Sequence, residues 1–245
     1  NIKLLPYHND LKKAGACFGS AGGYERPMWY SMNGKAEYEY SYNYQNWFPA
    51  AEFETKNTVT NVGLYELTPF SKFELKGDDV YEELQKICTA NVKNEIGRCT
   101  YTQMLNSDGG IETDLTVICI SENHYRVIGA AATRERDKFH IKKHINQNIE
   151  LTDVTDDYVC LGIFGPKSRE LMKDISGEDF SNDNFRFGHS KNIKIENSNV
   201  WVQRLSYVGE VGYELYINNS EAKLIFNKII DIGKKFNLTL CGAHA

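Results

Sequence analysis

Two stretches of this sequence place acids and tyrosines where they could handle protons and flat rings. Residues 104–117 read MLNSDGGIETDLTV. Gly109-Gly110 after Asp108 predicts a tight turn, because glycine accepts positive φ freely. The strand that follows would set Ile111, Leu115 and Val117 on one apolar face by its period of two. Asp114 then falls on the opposite face, beside Glu112 and Thr116. If that face is open, Asp114 meets solvent or accepts from a backbone amide. If it is covered, the carboxylate is partly desolvated, its pKa rises, and it can take or stabilise a proton. Residues 206–217 read SYVGEVGYELYI, with Gly209 and Gly212 framing a turn between two strands. Tyr207, Tyr213, Tyr216, Glu210 and Glu214 surround that turn, an arrangement that also fits an ordinary hairpin with exposed acids.

Two other groups of residues are weaker candidates. His140 and His144 stand at i and i+4, the spacing of a zinc pair on a helix. Ile141 occupies the place where a zinc protease needs its general-base Glu, so the two read as surface histidines on a basic helix. The six cysteines, Cys17, Cys88, Cys99, Cys119, Cys160 and Cys241, form no CxxC pattern and several lie in apolar runs. They read as buried, reduced thiols.

The elements that must position these residues alternate without a strict βαβ order, which favours an α+β fold of mixed sheets with packed helices. Residues 1–44, rich in glycine and aromatics, read as an irregular lead-in packed on the main body, residues 45–245. A helix is expected from Gln45 to about Lys56 with Pro49 in its first turn. Residues 62–75 read as strand, interrupted at Thr68-Pro69. A helix starts at Asp78-Asp79, its acids at the positive end of the dipole. Three short strands follow at 100–105, 111–121 and 125–129, then a helix from Arg134 to about Gln147. A strand at 154–164 turns at Gly165-Pro166 into a helix from about Lys167. Strands at 193–206 and 213–217 and an amphipathic helix at 220–236 complete the pattern.

Composition bounds the function classes. The 245 residues are 41% hydrophobic and 25% charged, which is globular and long enough to bury a core. A formal net charge of −5 provides no electrostatic footprint for nucleic acid or an anionic membrane. No apolar run approaches the roughly 20 residues of a membrane span, and a cytoplasmic location is expected. The glycines at 15, 19, 22 and 23 spell no phosphate-binding loop. The chain starts at Asn1 and stops soon after a helix-like segment, as a piece of a longer protein would.

Three stretches, residues 104–117, 165–172 (GPKSRELM) and 206–217, resemble the folate-binding domain of the glycine-cleavage aminomethyltransferase family. Residues 23–30 (GYERPMWY) and 71–77 (SKFELKG) resemble the entry to that domain in sarcosine and dimethylglycine dehydrogenases. The resemblance implies tetrahydrofolate-dependent transfer of an aminomethyl or methylene unit from a small amine or iminium donor. Asp114 falls at the position of the family's catalytic carboxylate, and Tyr101, Tyr207 and Glu214 fall at positions that line the pterin. It implies a separate flavin domain or subunit as partner in the dehydrogenase branch; from the residues themselves, no metal is expected. Gly129-Ala130 is small where the glycine-cleavage branch often carries Asn. The family's Arg-bearing helix and small barrel lie beyond Ala245, so the domain is expected to be incomplete at its C-terminal end. Two alternatives stay open: a folate-binding module without catalysis, and a folate-dependent demethylase acting on a sulfonium donor. The non-catalytic iron–sulfur-assembly relatives carry a Cys in the later motif, where this chain has Ser206-Tyr207-Val208-Gly209.

Overall fold

A computed structural model describes residues 2–245. The chain opens with helix α1 (His8–Lys13) and a hairpin of strands β1 (Ala16–Ala21) and β2 (Tyr24–Tyr30). Helix α2 (Phe48–Thr60) leads into β3 (Val62–Glu66) and β4 (Ser71–Lys76), then α3 (Val80–Ile87). Strands β5 (Cys99–Leu105), β6 (Ile111–Ser121) and β7 (His124–Gly129) form a meander followed by α4 (Arg134–His144) and β8 (Glu150–Asp153). Strand β9 (Tyr158–Phe164), helix α5 (Ser168–Ser176), strands β10 (Ser190–Ile195), β11 (Ser198–Gln203) and β12 (Gly212–Asn218), helix α6 (Ala222–Gly233) and β13 (Leu238–Cys241) follow. The fold is α+β, as the mixed element order implies.

The strands outside the N-terminal hairpin build two sheets. One has six strands in the order β10-β11-β12-β9-β3-β13, antiparallel except for the parallel β13–β3 edge. The other has five, β5-β6-β7-β4-β8, all antiparallel. Each sheet has its own apolar core against its own helices. Leu171, Met172, Ile225 and Ile229 of α5 and α6 pack with Val159, Leu161 and Leu215 of the six-stranded sheet. Val80, Leu84 and Ile141 of α3 and α4 pack with Phe73, Leu115 and Val127 of the other.

Several expectations need correction. Residues 1–44 are not irregular throughout: α1, β1 and β2 occupy much of the segment. Leu5, Tyr7, Leu11, Ala16 and Tyr24 are buried in the core of the six-stranded sheet, and Tyr7 stacks on Phe226 with ring centroids 4.3 Å apart. The Thr68-Pro69 interruption does more than break a strand. Residues 67–70 carry the chain from β3 in one sheet to β4 in the other. The expected strand at 193–206 is instead the hairpin β10–β11, turned at Glu196, which takes a positive φ of 54°. Strands β8 and β13 were not anticipated.

Helix α4 ends at His144, and its inward face carries Asp137, His140 and Ile141. His140 is therefore buried rather than on the surface, and only His144 is exposed. No group of three or more metal-ligating side chains exists among the described residues. All six cysteines are buried and unpaired, as expected. No helix among the described residues is long and apolar enough to cross a membrane.

Candidate active site

The loop between β5 and β6 is built as the sequence predicts. Asn106 Oδ1 accepts from the backbone N–H of Asp108 at 3.0 Å and of Gly110 at 2.9 Å, and Gly109 takes a φ of 79°. One detail departs from strict alternation. Met104 pairs with Thr113 but Leu105 pairs with Ile111, so the strand bulges around Glu112. An extra residue in a bulge reverses the phase of what precedes it. Ile111 is consequently exposed, and only Leu115 and Val117 of the expected apolar face are buried.

Beyond the bulge, Asp114 and Thr116 share the opposite face. That face looks into a cavity of about 370 Å³ between the two sheets. The five-stranded sheet contributes Tyr101, Asp114, Leu115, Thr116 and Ile128. The six-stranded sheet contributes Gln203, Glu214 and Tyr216, and the loop between β11 and β12 adds Leu205 and Tyr207. Phe70, from the segment joining the sheets, and Gly129-Ala130 at the end of β7 complete the lining. All four residues singled out by the resemblance, Tyr101, Asp114, Tyr207 and Glu214, thus face one space.

Their environments differ. Asp114 is exposed at the mouth, so the desolvation expected of a covered carboxylate is absent. Its Oδ2 accepts from the Tyr101 hydroxyl at 2.9 Å, which holds that hydroxyl above its usual pKa, and its Oδ1 makes no hydrogen bond among the described residues. Tyr207 is also exposed at 74%. Glu214, by contrast, lies on the cavity floor with only 7% exposure, not at the surface of an ordinary hairpin. The Tyr216 hydroxyl donates to its Oε2 at 2.8 Å, and its Oε1 has no partner among the described residues. Burial raises the Glu214 pKa, while the Tyr216 hydrogen bond and the Lys72 charge act against that rise.

Three residues escaped the sequence reading, Tyr216 and Gln203 in the cavity lining and Lys72 outside it. Tyr216 was visible as part of the motif but not as the group that orients Glu214. Lys72 is fully buried and donates to the carbonyls of Thr68 at 2.8 Å and Phe70 at 2.9 Å, and burial lowers its pKa to about 8. Gln203 is fully buried, and neither its side-chain nitrogen nor its oxygen has a partner. The only local signal for Gln203 was a polar residue ending an apolar strand, which is common. A second cavity of about 330 Å³ adjoins the first. The two share Tyr101, Thr116, Leu205 and Tyr207, and Arg98 and Phe187 lie on the far side of the second.

Such a space can hold a flat heterocycle. Its volume is in the range of small-molecule sites, and its lining is largely apolar with a few convergent polar groups. A buried carboxylate with a free oxygen accepts N–H groups, and Tyr207 and Tyr101 offer ring faces and hydroxyls at the mouth.

Comparison with known proteins identifies the family. The chain is 35% identical over its whole length to 4-methylaminobutanoate oxidase (formaldehyde-forming) of Paenarthrobacter nicotinovorans, covering 30% of that protein. It is 30% identical over 93% of its length to the mitochondrial dimethylglycine dehydrogenase of Rattus norvegicus, covering 27% of it. The chain thus spans less than a third of the length of these two relatives. The crystal structure of glycine cleavage system aminomethyltransferase T from Bartonella henselae superposes over the whole chain and 61% of that protein, with a TM-score of 0.81 at 21% identity. The sequence profile of the GCVT N-terminal domain matches residues 7–245, and the chain belongs to that family.

Proposed function

We propose that this chain is the tetrahydrofolate-binding part of an enzyme that transfers an aminomethyl or methylene unit from an amine-derived donor. The observation that carries this reading is the convergence of Tyr101, Asp114, Tyr207 and Glu214 on one cavity with a buried, half-partnered carboxylate at its floor. The donor set fits a pterin, whose 2-amino and N3 groups are adjacent N–H donors that a carboxylate accepts in bidentate fashion. Bound there, the reduced folate would supply nitrogen nucleophiles that accept the one-carbon unit.

The chain's own residues divide the work. Glu214 holds the pyrimidine edge, kept in one orientation by Tyr216. Tyr207 and Tyr101 cover the ring at the mouth and limit water there. Asp114, exposed in the cavity lining, would take a proton from the donor and stabilise positive charge on an iminium. Tyr101 fixes its Oδ2. In a dehydrogenase-like protein, a flavin domain or subunit outside this chain would oxidise the amine first. The relatives named as an oxidase and a dehydrogenase support that division of labour. Residues 45–245 would form the folate-binding unit, since both sheets that wall the cavity lie there. Six unpaired, buried cysteines suit a reducing compartment such as the cytoplasm.

The test is product analysis with the complete protein. Supplied with secondary or tertiary N-methyl amines and tetrahydrofolate, it should yield 5,10-methylene-tetrahydrofolate. A 5-methyl product from a sulfonium donor, or tetrahydrofolate binding with no product from either donor class, would overturn the reading.

A further inference from the structure

Gln203 stands apart from the other residues that line the cavity. Its side chain is fully buried, yet its amide nitrogen and carbonyl oxygen are both unpaired. Buried polar groups are nearly always hydrogen-bonded, and leaving a whole amide unsatisfied is costly. Gln203 lines the cavity, so a ligand there can supply the missing partners.

Its position is defined by the sheet. Gln203 on β11 is directly opposite Glu214 on β12 in the antiparallel register. Side chains directly opposite one another project from the same face, with Cβ atoms about 4.5–5.5 Å apart. The floor therefore presents, side by side, a carboxylate with acceptor capacity and an amide whose N–H donors and carbonyl acceptor are all to spare.

A tetrahydropterin offers a matching row along one side. From the 2-amino group round to position 5 it presents donor, donor, acceptor, donor: N2–H, N3–H, O4 and N5–H. Glu214 accepts from the first two. An amide beside it can donate from Nε2 to O4 and accept at Oε1 from N5–H. This is the donor–acceptor pairing by which Gln and Asn read the N6–H and N7 of adenine. In dihydrofolate or fully oxidised folate, N5 is an imine nitrogen with a lone pair and no proton. The Gln203 carbonyl would then face a second acceptor.

We propose that Gln203 is the residue by which this site distinguishes the tetrahydro form of folate from its dihydro and oxidised forms. The proposal rests on the tetrahydrofolate reading above and adds the source of its selectivity. Gln203 makes no covalent contribution; it is a recognition residue that holds the O4 and N5 side of the ring.

The experiment is direct binding, without turnover, of tetrahydrofolate and 7,8-dihydrofolate to the complete protein under anaerobic conditions. Wild type should favour tetrahydrofolate by about tenfold or more, as expected for a hydrogen bond exchanged for facing lone pairs. Gln203→Met should lose most of that preference, mainly through weaker tetrahydrofolate binding. Gln203→Thr, smaller and well suited to a strand, should do the same if the larger thioether perturbs the floor. A ligand change needs no variant: 5-deazatetrahydrofolate, with carbon at position 5, should bind wild type about tenfold more weakly than tetrahydrofolate. Equal wild-type affinity for tetrahydrofolate and its 5-deaza analogue, or an undiminished preference in both variants, would overturn the role of Gln203. The folate site itself would survive that result provided Glu214→Gln still loses affinity. Failure of wild type to bind any of these folates would overturn both.

Discussion

The two carboxylates of the cavity, Glu214 on the floor and Asp114 at the mouth, are placed in opposite ways. Glu214 comes from the six-stranded sheet, is buried, and has one oxygen already engaged by Tyr216. Asp114 comes from the five-stranded sheet, is exposed, and is steadied only by the Tyr101 hydroxyl. Under the proposed function, this difference would separate recognition from reaction within one pocket. Hydrogen bonds that read a ring edge discriminate best away from water, where an unmade bond is most costly. A group that exchanges protons with an arriving donor must remain accessible. The floor should therefore govern affinity and the mouth should govern turnover.

The sharpest way to break this division is Asp114→Asn. Formation of methylene-tetrahydrofolate by the complete protein should fall by about 10²- to 10⁴-fold, the usual contribution of a positioned acid–base group. The dissociation constant for tetrahydrofolate should change little. A parallel loss of affinity would make Asp114 a second binding residue, and near-normal turnover would remove it from the chemistry.

Glu214→Gln should produce the opposite pattern. Replacing an acceptor oxygen with a donor aimed at the ligand's own N–H groups costs roughly 1.5–3 kcal/mol, about 10- to 150-fold in affinity. Calorimetry reads this directly. The unliganded protein should not lose stability. Burial raises the Glu214 pKa in the folded state, so that state binds the proton more tightly than the unfolded chain. Stability attributable to this group is complete below the unfolded pKa and is lost as pH rises through the folded one. At neutral pH the neutral glutamine avoids burying that charge, and thermal melts should show the variant at least as stable as wild type.

The same shift sets a pH dependence for binding. The edge-reading form of Glu214 is the ionised one, so tetrahydrofolate affinity should decline on acidification, beginning above the ordinary carboxyl value of 4.5. The decline should disappear in Glu214→Gln. Its persistence there would assign it to another group.

The smallest effect is expected from Tyr216→Phe. Losing the hydroxyl that orients Glu214 should weaken tetrahydrofolate binding by about two- to twelvefold, the range of a single hydrogen bond of about 0.5–1.5 kcal/mol. Turnover at saturating folate should hold. A fall in turnover at saturating folate with unchanged affinity would show that the floor also serves the reaction.

Much of the mouth was legible in the residues themselves. The Asp108-Gly109-Gly110 turn and the Asp114 strand are local features, and local features follow from backbone preferences within a few residues. The bulge around Glu112 was not legible, because it depends on how β5 pairs with β6, and it is what exposes Ile111. His140 was misplaced for a similar reason. Its spacing to His144 is a property of the helix, but which helical face turns inward depends on the sheet beneath it.

The motifs were enough to bring Asp114, Tyr207 and Glu214 into view and to identify the family they resemble, and that resemblance added Tyr101. Only the tertiary structure showed that residues 67–70 cross between two sheets, that the two carboxylates approach one cavity from different sheets, and that Gln203 stands opposite Glu214. Turns and strand periodicity are encoded by neighbours in sequence. Burial and cross-strand register are set by pairing between distant segments, and a side chain such as Gln203 acquires its unpaired amide only once that pairing has closed over it.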